Sequence, residues 1–130
     1  VNLLLDTCAL IWFLRNDREL SSTAAEVVEY PGNTVAVSAV SIWEIAIKAQ
    51  LGKLKAPKGL TSTLEGALVD AGFRILPVTY AHTSGVFALP AVHQDPFDRL
   101  LISQCRSEKM IAVTDDPFWS DPRYVIQTLG

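Results

Sequence analysis

Short apolar or β-branched runs alternate along this chain with stretches of helical period, and that alternation constrains the fold more than any other feature. Val1–Leu5 reads as a buried parallel strand and Thr34–Ser38 as a second. Phe73–Leu76 and Met110–Thr114 read as a third and a fourth. Between them, helices are expected over Thr7–Leu14, from Ser21 or Ser22 to about Tyr30, and over Ser41–Leu51, Leu60–Ala71, Tyr80–Leu89 and Pro96–Lys109. Pro31-Gly32-Asn33 marks a turn, Gly52 and Gly72 end helices, and Pro90 stops another. Asp116–Ser120 begins a short helix or turn, and Tyr124–Gln127 is expected as a last edge strand. The pattern implies an α/β fold, a parallel sheet of about four to five strands with helices on both faces. The 130 residues suit one compact domain, residues 1–130, with no repeat or linker.

In such a sheet the strand C-termini and the helix N-termini share one edge, where ligands bind. Six acids of this chain are expected at that edge. Asp6 follows the first strand, Glu44 lies early in the helix after the second, Asp95 and Asp98 open the helix before the fourth, and Asp115 and Asp116 follow the fourth. Singly, each has a bland explanation. Ser41-Ile-Trp-Glu44 fits a capping box, Glu44 and Lys48 form an i,i+4 pair, and Asp95-Pro96 and Asp116-Pro117 fit N-caps with proline at the first helical position. Capping does not require so many acids on one edge. Gathered carboxylates repel, which raises some pKa values unless a cation neutralises them. Oxygen donors without Cys or His suit Mg²⁺ or Mn²⁺ rather than zinc. Such a site activates water toward phosphorus without a Ser-His-Asp relay. His93 is a candidate ligand or base, but in a loop before a proline-capped helix it reads as structural.

Net charge is −3, opposite to a basic DNA-binding module, and this argues against a broad nonspecific grip on duplexes. Mean hydropathy is +0.25, a weak sign of apolar surface kept for a partner. Cys8 and Cys105 have neither metal-type nor redox-type spacing and read as buried free thiols of a cytosolic protein. No signal peptide or membrane-spanning run is visible. A dinucleotide fold lacks its Gly-x-Gly-x-x-Gly, and Cys8 stands where a haloacid-dehalogenase-like phosphatase needs a second Asp. A phosphoacceptor receiver domain lacks its nucleophilic Asp and its Lys at the required strand ends.

Four segments together resemble the PIN-domain family, and within it the VapC-type toxins of toxin–antitoxin pairs: Leu3–Thr7, Val37–Lys48, His93–Gln104 and Val113–Phe118. The resemblance implies a PIN-like three-layer α/β/α fold with catalytic, metal-holding acids at Asp6, Glu44, Asp98 and Asp116. Thr7 and Thr114 match the hydroxyl positions expected to orient the acids, and Asp95 and Asp115 are further supporting candidates. Cys8 stands where close relatives commonly carry His. The resemblance also implies a Mg²⁺- or Mn²⁺-dependent endoribonuclease, dimeric and cytoplasmic, acting on RNA and held inactive by a cognate antitoxin. Trp12, Phe13, Trp43 and the 53–59 loop are candidates for the antitoxin groove, and Arg15, Lys48 and Arg99 for phosphate contact. A non-toxin RNA-processing nuclease and a non-catalytic binding module of the same fold are the alternatives; the latter would require a broken acid set.

Overall fold

The computed structural model describes residues 1–130. Five strands form one parallel sheet in the order β3-β2-β1-β4-β5: β1 Asn2–Leu5, β2 Thr34–Ser38, β3 Arg74–Leu76, β4 Ile111–Val113 and β5 Thr128–Leu129. The chain builds outward from β1 to β2 to β3, then returns to lay β4 on the other side of β1. The order therefore reverses between β1 and β4, the point at which open α/β sheets bind ligands.

Side chains of each strand alternate between two cores. Leu3, Leu5, Val35 and Val37 face Ala9, Leu10, Ala24, Val28, Leu64 and Leu68, carried by α1 (Thr7–Arg15), α2 (Ser22–Glu29) and α4 (Leu64–Asp70). Leu4, Ala36 and Ala112 face Leu101, Ile102 and Cys105 of α6 (Pro96–Glu108), with Trp119 and Tyr124 sealing that side. This is the expected three-layer arrangement. α3 (Ala39–Gln50) packs against both α1 and α6, with Val40 in one core and Ile45 in the other. α5 (Tyr80–Gly85) lies against α6. No helix is long and apolar enough to cross a membrane.

Several boundaries differ from the sequence reading, each for a local reason. α3 begins two residues before Ser41, because Ser38 is its cap and accepts the Val40 amide at 3.0 Å. The proposed capping box of Ser41 and Glu44 therefore does not exist. Ser41 lies inside the helix, accepting the Thr7 hydroxyl at 3.0 Å, and Glu44 is free of any capping role. α4 begins at Leu64 rather than Leu60, because Gly59 adopts φ +75° and its carbonyl takes the amides of Ser62, Thr63 and Leu64 in a tight turn. The helix expected over Tyr80–Leu89 is α5 followed by a 3-10 turn at Val86–Ala88. The last strand lies beyond Tyr124–Gln127. Asp121 caps a 3-10 turn over Pro122–Tyr124 and Val125 takes φ 56°, so extended pairing with β4 is delayed to Thr128–Leu129.

Candidate metal centre

Three helix starts and two strand ends meet at the β1–β4 switch point. Asp6 is both the residue after β1 and the N-cap of α1: its Oδ1 accepts the Ala9 amide at 2.7 Å. Its Oδ2 accepts the Thr114 hydroxyl at 2.6 Å. The Thr114 oxygen in turn accepts the Asp116 amide at 3.1 Å, so one hydroxyl ties the end of β1 to the end of β4. Asp116 caps the 3-10 turn Pro117–Ser120, with Oδ1 accepting the Phe118 amide at 3.0 Å. Asp95 caps α6, accepting the Phe97 and Asp98 amides, and this orients Asp98 one turn in. Glu44 enters from α3, with Oε2 on Lys48 Nζ at 2.5 Å.

Together Asp6, Glu44, Asp98 and Asp116 line a cleft of about 250 Å³, with Lys48, Asp95 and Asp115 on its walls. All four acids expected to converge do so. Capping accounts for one oxygen of Asp6 and one of Asp116, so a capping role does not keep either residue out of the cleft. Glu44 is 5% exposed, and its Oε1 is buried with no hydrogen-bond partner. An unpaired buried carboxylate oxygen costs about 1–3 kcal/mol or more, because its desolvation is not offset.

The electrostatics agree with crowding. Burial is the main cause that raises the Asp6 carboxyl, opposed by the Thr114 and Ala9 bonds and reinforced by Asp116 and Glu44. Asp98 is raised from 3.8 to about 7, by burial first, then by Asp95, with Glu44 and Asp6 adding to it and His93 opposing. Lys48 is raised by its bond to Glu44. The cleft thus offers hard oxygen donors, an unpartnered buried oxygen and mutually repelling carboxylates, a set that fits a divalent cation.

Other expected residues fall differently. Thr7 lines the cleft, but its hydroxyl donates to Ser41 rather than to an acid and so joins α1 to α3. Arg15 lies at the far end of α1 from Asp6, in a separate groove with Leu54, Lys55 and Lys58, outside the acid cleft. Arg99 is no free phosphate ligand. Its Nη1 donates to the carbonyls of Pro90 and His93 at 3.0 and 3.1 Å, and its Nη2 reaches those of Leu89 and Val86, so it clamps the loop before α6. Lys48 is at the cleft as expected, paired with Glu44. The aromatic and loop residues expected to share one groove are dispersed. Trp12 and Phe13 line a hollow between α1 and α2, the 53–59 loop borders the groove at Arg15, and Trp43 packs edge-on against Phe97. Cys105 is buried, but Cys8 is exposed at the cleft, where burial of its sulfur and neighbouring carboxylates push the thiol up to about 11.

The residue that sequence reasoning underrated is His93. Its Nε2 lies 2.8 Å from Asp116 Oδ2 and 3.1 Å from Asp98 Oδ2. Ligand atoms of His93, Asp98 and Asp116 fall within 4.8 Å of one another. The available signal was position: His93 precedes the cap of α6 by two residues, so it emerges on the same sheet edge as the acids.

Residues 3–121 match the PIN domain family model. The chain belongs to the PIN domain family. This PIN domain is 38% identical over 58 residues to Ribonuclease VapC16 of Mycobacterium tuberculosis, a match that spans 45% of this chain and 41% of that relative. Solved structures share its fold. One is VapBC2 of Rickettsia felis bound to a promoter DNA fragment, with TM-score 0.71, 18% identity, and 99% of this chain and 98% of that chain covered. Another is DNA-bound VapBC of Salmonella typhimurium, with TM-score 0.72, 15% identity, and 99% and 97% covered. FitAcB of Neisseria gonorrhoeae gives TM-score 0.69 at 18% identity, with 98% and 96% covered.

One consequence for this PIN domain concerns Thr114. Thr114→Val keeps the side-chain shape and deletes the donor to Asp6 and the acceptor for the Asp116 amide. Loss of such a supporting partner is expected to weaken Mn²⁺ binding by about ten- to a hundredfold, measured by titration calorimetry. Unchanged affinity would show that Asp6 is oriented without it.

Proposed function

We propose that this PIN domain is a divalent-metal-dependent endoribonuclease, the toxin of a type II toxin–antitoxin pair. The observation that carries the reading is the convergence of Asp6, Glu44, Asp98 and Asp116 at the β1–β4 switch point, with Glu44 Oε1 buried and unpaired there. Support comes from the PIN family membership and from the ribonuclease name of the mycobacterial relative. The toxin–antitoxin part draws on the VapBC complexes that share the fold. RNA as substrate, an antitoxin as inhibitor, self-association as a dimer and a cytoplasmic setting belong to the same proposal.

Asp6, Glu44, Asp98 and Asp116 would hold Mg²⁺ or Mn²⁺. A bound divalent cation supplies Lewis acidity that activates water as the nucleophile and neutralises charge developing at phosphorus. The chain supplies the geometry. Ala9 and Thr114 fix Asp6, the Phe118 amide fixes Asp116, and α6 presents Asp98 from its first turn. Lys48, at the cleft wall, offsets negative charge where a phosphodiester would approach. Water adds to phosphorus, one P–O ester bond breaks, and the products are a phosphomonoester and an alcohol.

The test is cleavage of structured RNA by purified protein in Mg²⁺ or Mn²⁺, with chelator as the control. Metal-dependent strand breaks are expected. Intact RNA in both metals, from protein that binds Mn²⁺, would overturn the nuclease reading. Expression alone is expected to arrest growth, and co-expression of the antitoxin to relieve it. Normal growth with active enzyme present would remove the toxin part only.

A further inference from the structure

His93 is held from four directions. Its backbone amide donates to the Tyr124 hydroxyl oxygen at 2.6 Å, and its carbonyl accepts Arg99 Nη1 at 3.1 Å. Its ring sits 5.5 Å from that of Phe118, and its Nδ1 accepts the Asp95 amide at 3.2 Å. This last bond decides the tautomer. A backbone N–H can only donate, so Nδ1 presents its lone pair and the ring proton sits on Nε2. Nε2 therefore faces the carboxylates as a donor and has no lone pair to offer a cation. The N–H is engaged by Asp116 Oδ2 at 2.8 Å, and Asp98 Oδ2 is 3.1 Å from the same nitrogen. The Asp98 carboxylate has only this close approach to the His93 nitrogen, whereas Asp6 accepts two hydrogen bonds and Glu44 pairs with Lys48.

We propose that His93 is a positioning residue of the metal centre. Its Nε2–H donates to Asp116 Oδ2 and brings the same polarised N–H within 3.1 Å of Asp98 Oδ2, so one ring sets the spacing of the two carboxylates at the cleft. It is neither a ligand nor the base that takes a proton from water. The inference rests on the metal-dependent reading proposed above and adds a residue outside the acid quartet. Asp95 gains a second part through it: as cap it orients Asp98, and through its own amide it sets the ring proton of His93.

The test is Mn²⁺ binding, read by electron paramagnetic resonance of the free ion, for the parent, His93→Phe, His93→Gln and Asp98→Asn. Phe keeps the ring and removes the donor, and its Kd is expected to rise about ten- to a hundredfold. Gln places an N–H donor at the position of Nε2 and is expected to return Kd to within about threefold of the parent. Electron spin echo spectra of Mn²⁺ on the parent are expected to show no directly coordinated nitrogen. Parent-like affinity in His93→Phe, equal losses in the Phe and Gln variants (a packing role), or a directly coordinated nitrogen would each overturn the proposal. Asp98→Asn separates the two levels. Weak binding in Asp98→Asn with unchanged His93→Phe removes only the His93 role, while no Mn²⁺ binding by the parent removes both readings.

Discussion

Asp98→Asn is expected to lower metal-dependent RNA cleavage by more than about a hundredfold, beyond the loss typical of a merely supporting residue. It is expected to leave the melting temperature of the metal-free protein unchanged or raised. The two effects have one cause. Asp98 stands among Asp95, Glu44 and Asp6 in a partly buried cleft, and those neighbours together with burial oppose its charge. The amide removes a cation ligand and removes that repulsion in the same step. Helix α6 keeps its cap, because the capping carboxylate belongs to Asp95. Cleavage of a labelled RNA in Mn²⁺, beside calorimetry in chelator, reads both. A variant that cuts as well as the parent would overturn the site assignment, and a variant that melts far lower would assign Asp98 to structure.

Stripped of divalent cations, the protein is expected to lose stability as pH rises from about 4 to about 7. In the unfolded chain Asp98 titrates near 3.8, and in the folded protein near 7. Between those values the folded state binds more protons than the unfolded one, so the stabilising contribution is complete below pH 4 and is lost as pH rises through the folded value. Asp6, also raised, adds a contribution of the same sign. Asp121, lowered by Arg123, acts in the opposite sense, but only where pH falls below about 4. The loss across the window is on the order of a few kcal/mol. Urea unfolding in chelator at pH 5 and pH 8 measures it. Millimolar Mn²⁺ at pH 8 is expected to restore the stability, since the cation binds the folded state. Metal-free stability that rises between pH 5 and pH 8 would contradict the crowding of these acids.

Much of this was legible in the sequence because it depends on short-range rules. Asp95-Pro96-Phe97-Asp98 announces a helix start, since proline fits the first helical position and a preceding Asp caps it. Asp116-Pro117 does the same for the turn after β4. Residues that contribute through distant partners were misjudged. The local pattern pointed to Ser41 as a cap, yet Ser38 takes that part and Ser41 instead accepts a hydrogen bond from Thr7, a partner on another helix 34 residues away. Arg99 looked free to meet phosphate, yet the loop over Val86–His93 folds back and places carbonyls around its guanidinium. His93 looked structural because its partners, Asp116 and Tyr124, are 23 and 31 residues away.

Hydrophobic period and helix caps act over a few residues, so the one-dimensional pattern already determined an α/β chain whose acids emerge at strand ends and helix starts. Which groups then meet was decided by the sheet order. With β4 returned beside β1, Thr114 bonds Asp6 across 108 residues and His93 reaches between Asp98 and Asp116. Hydrogen bonds and carboxylate repulsion act over a few ångströms of space, whatever the separation along the chain, and only the folded arrangement sets those distances.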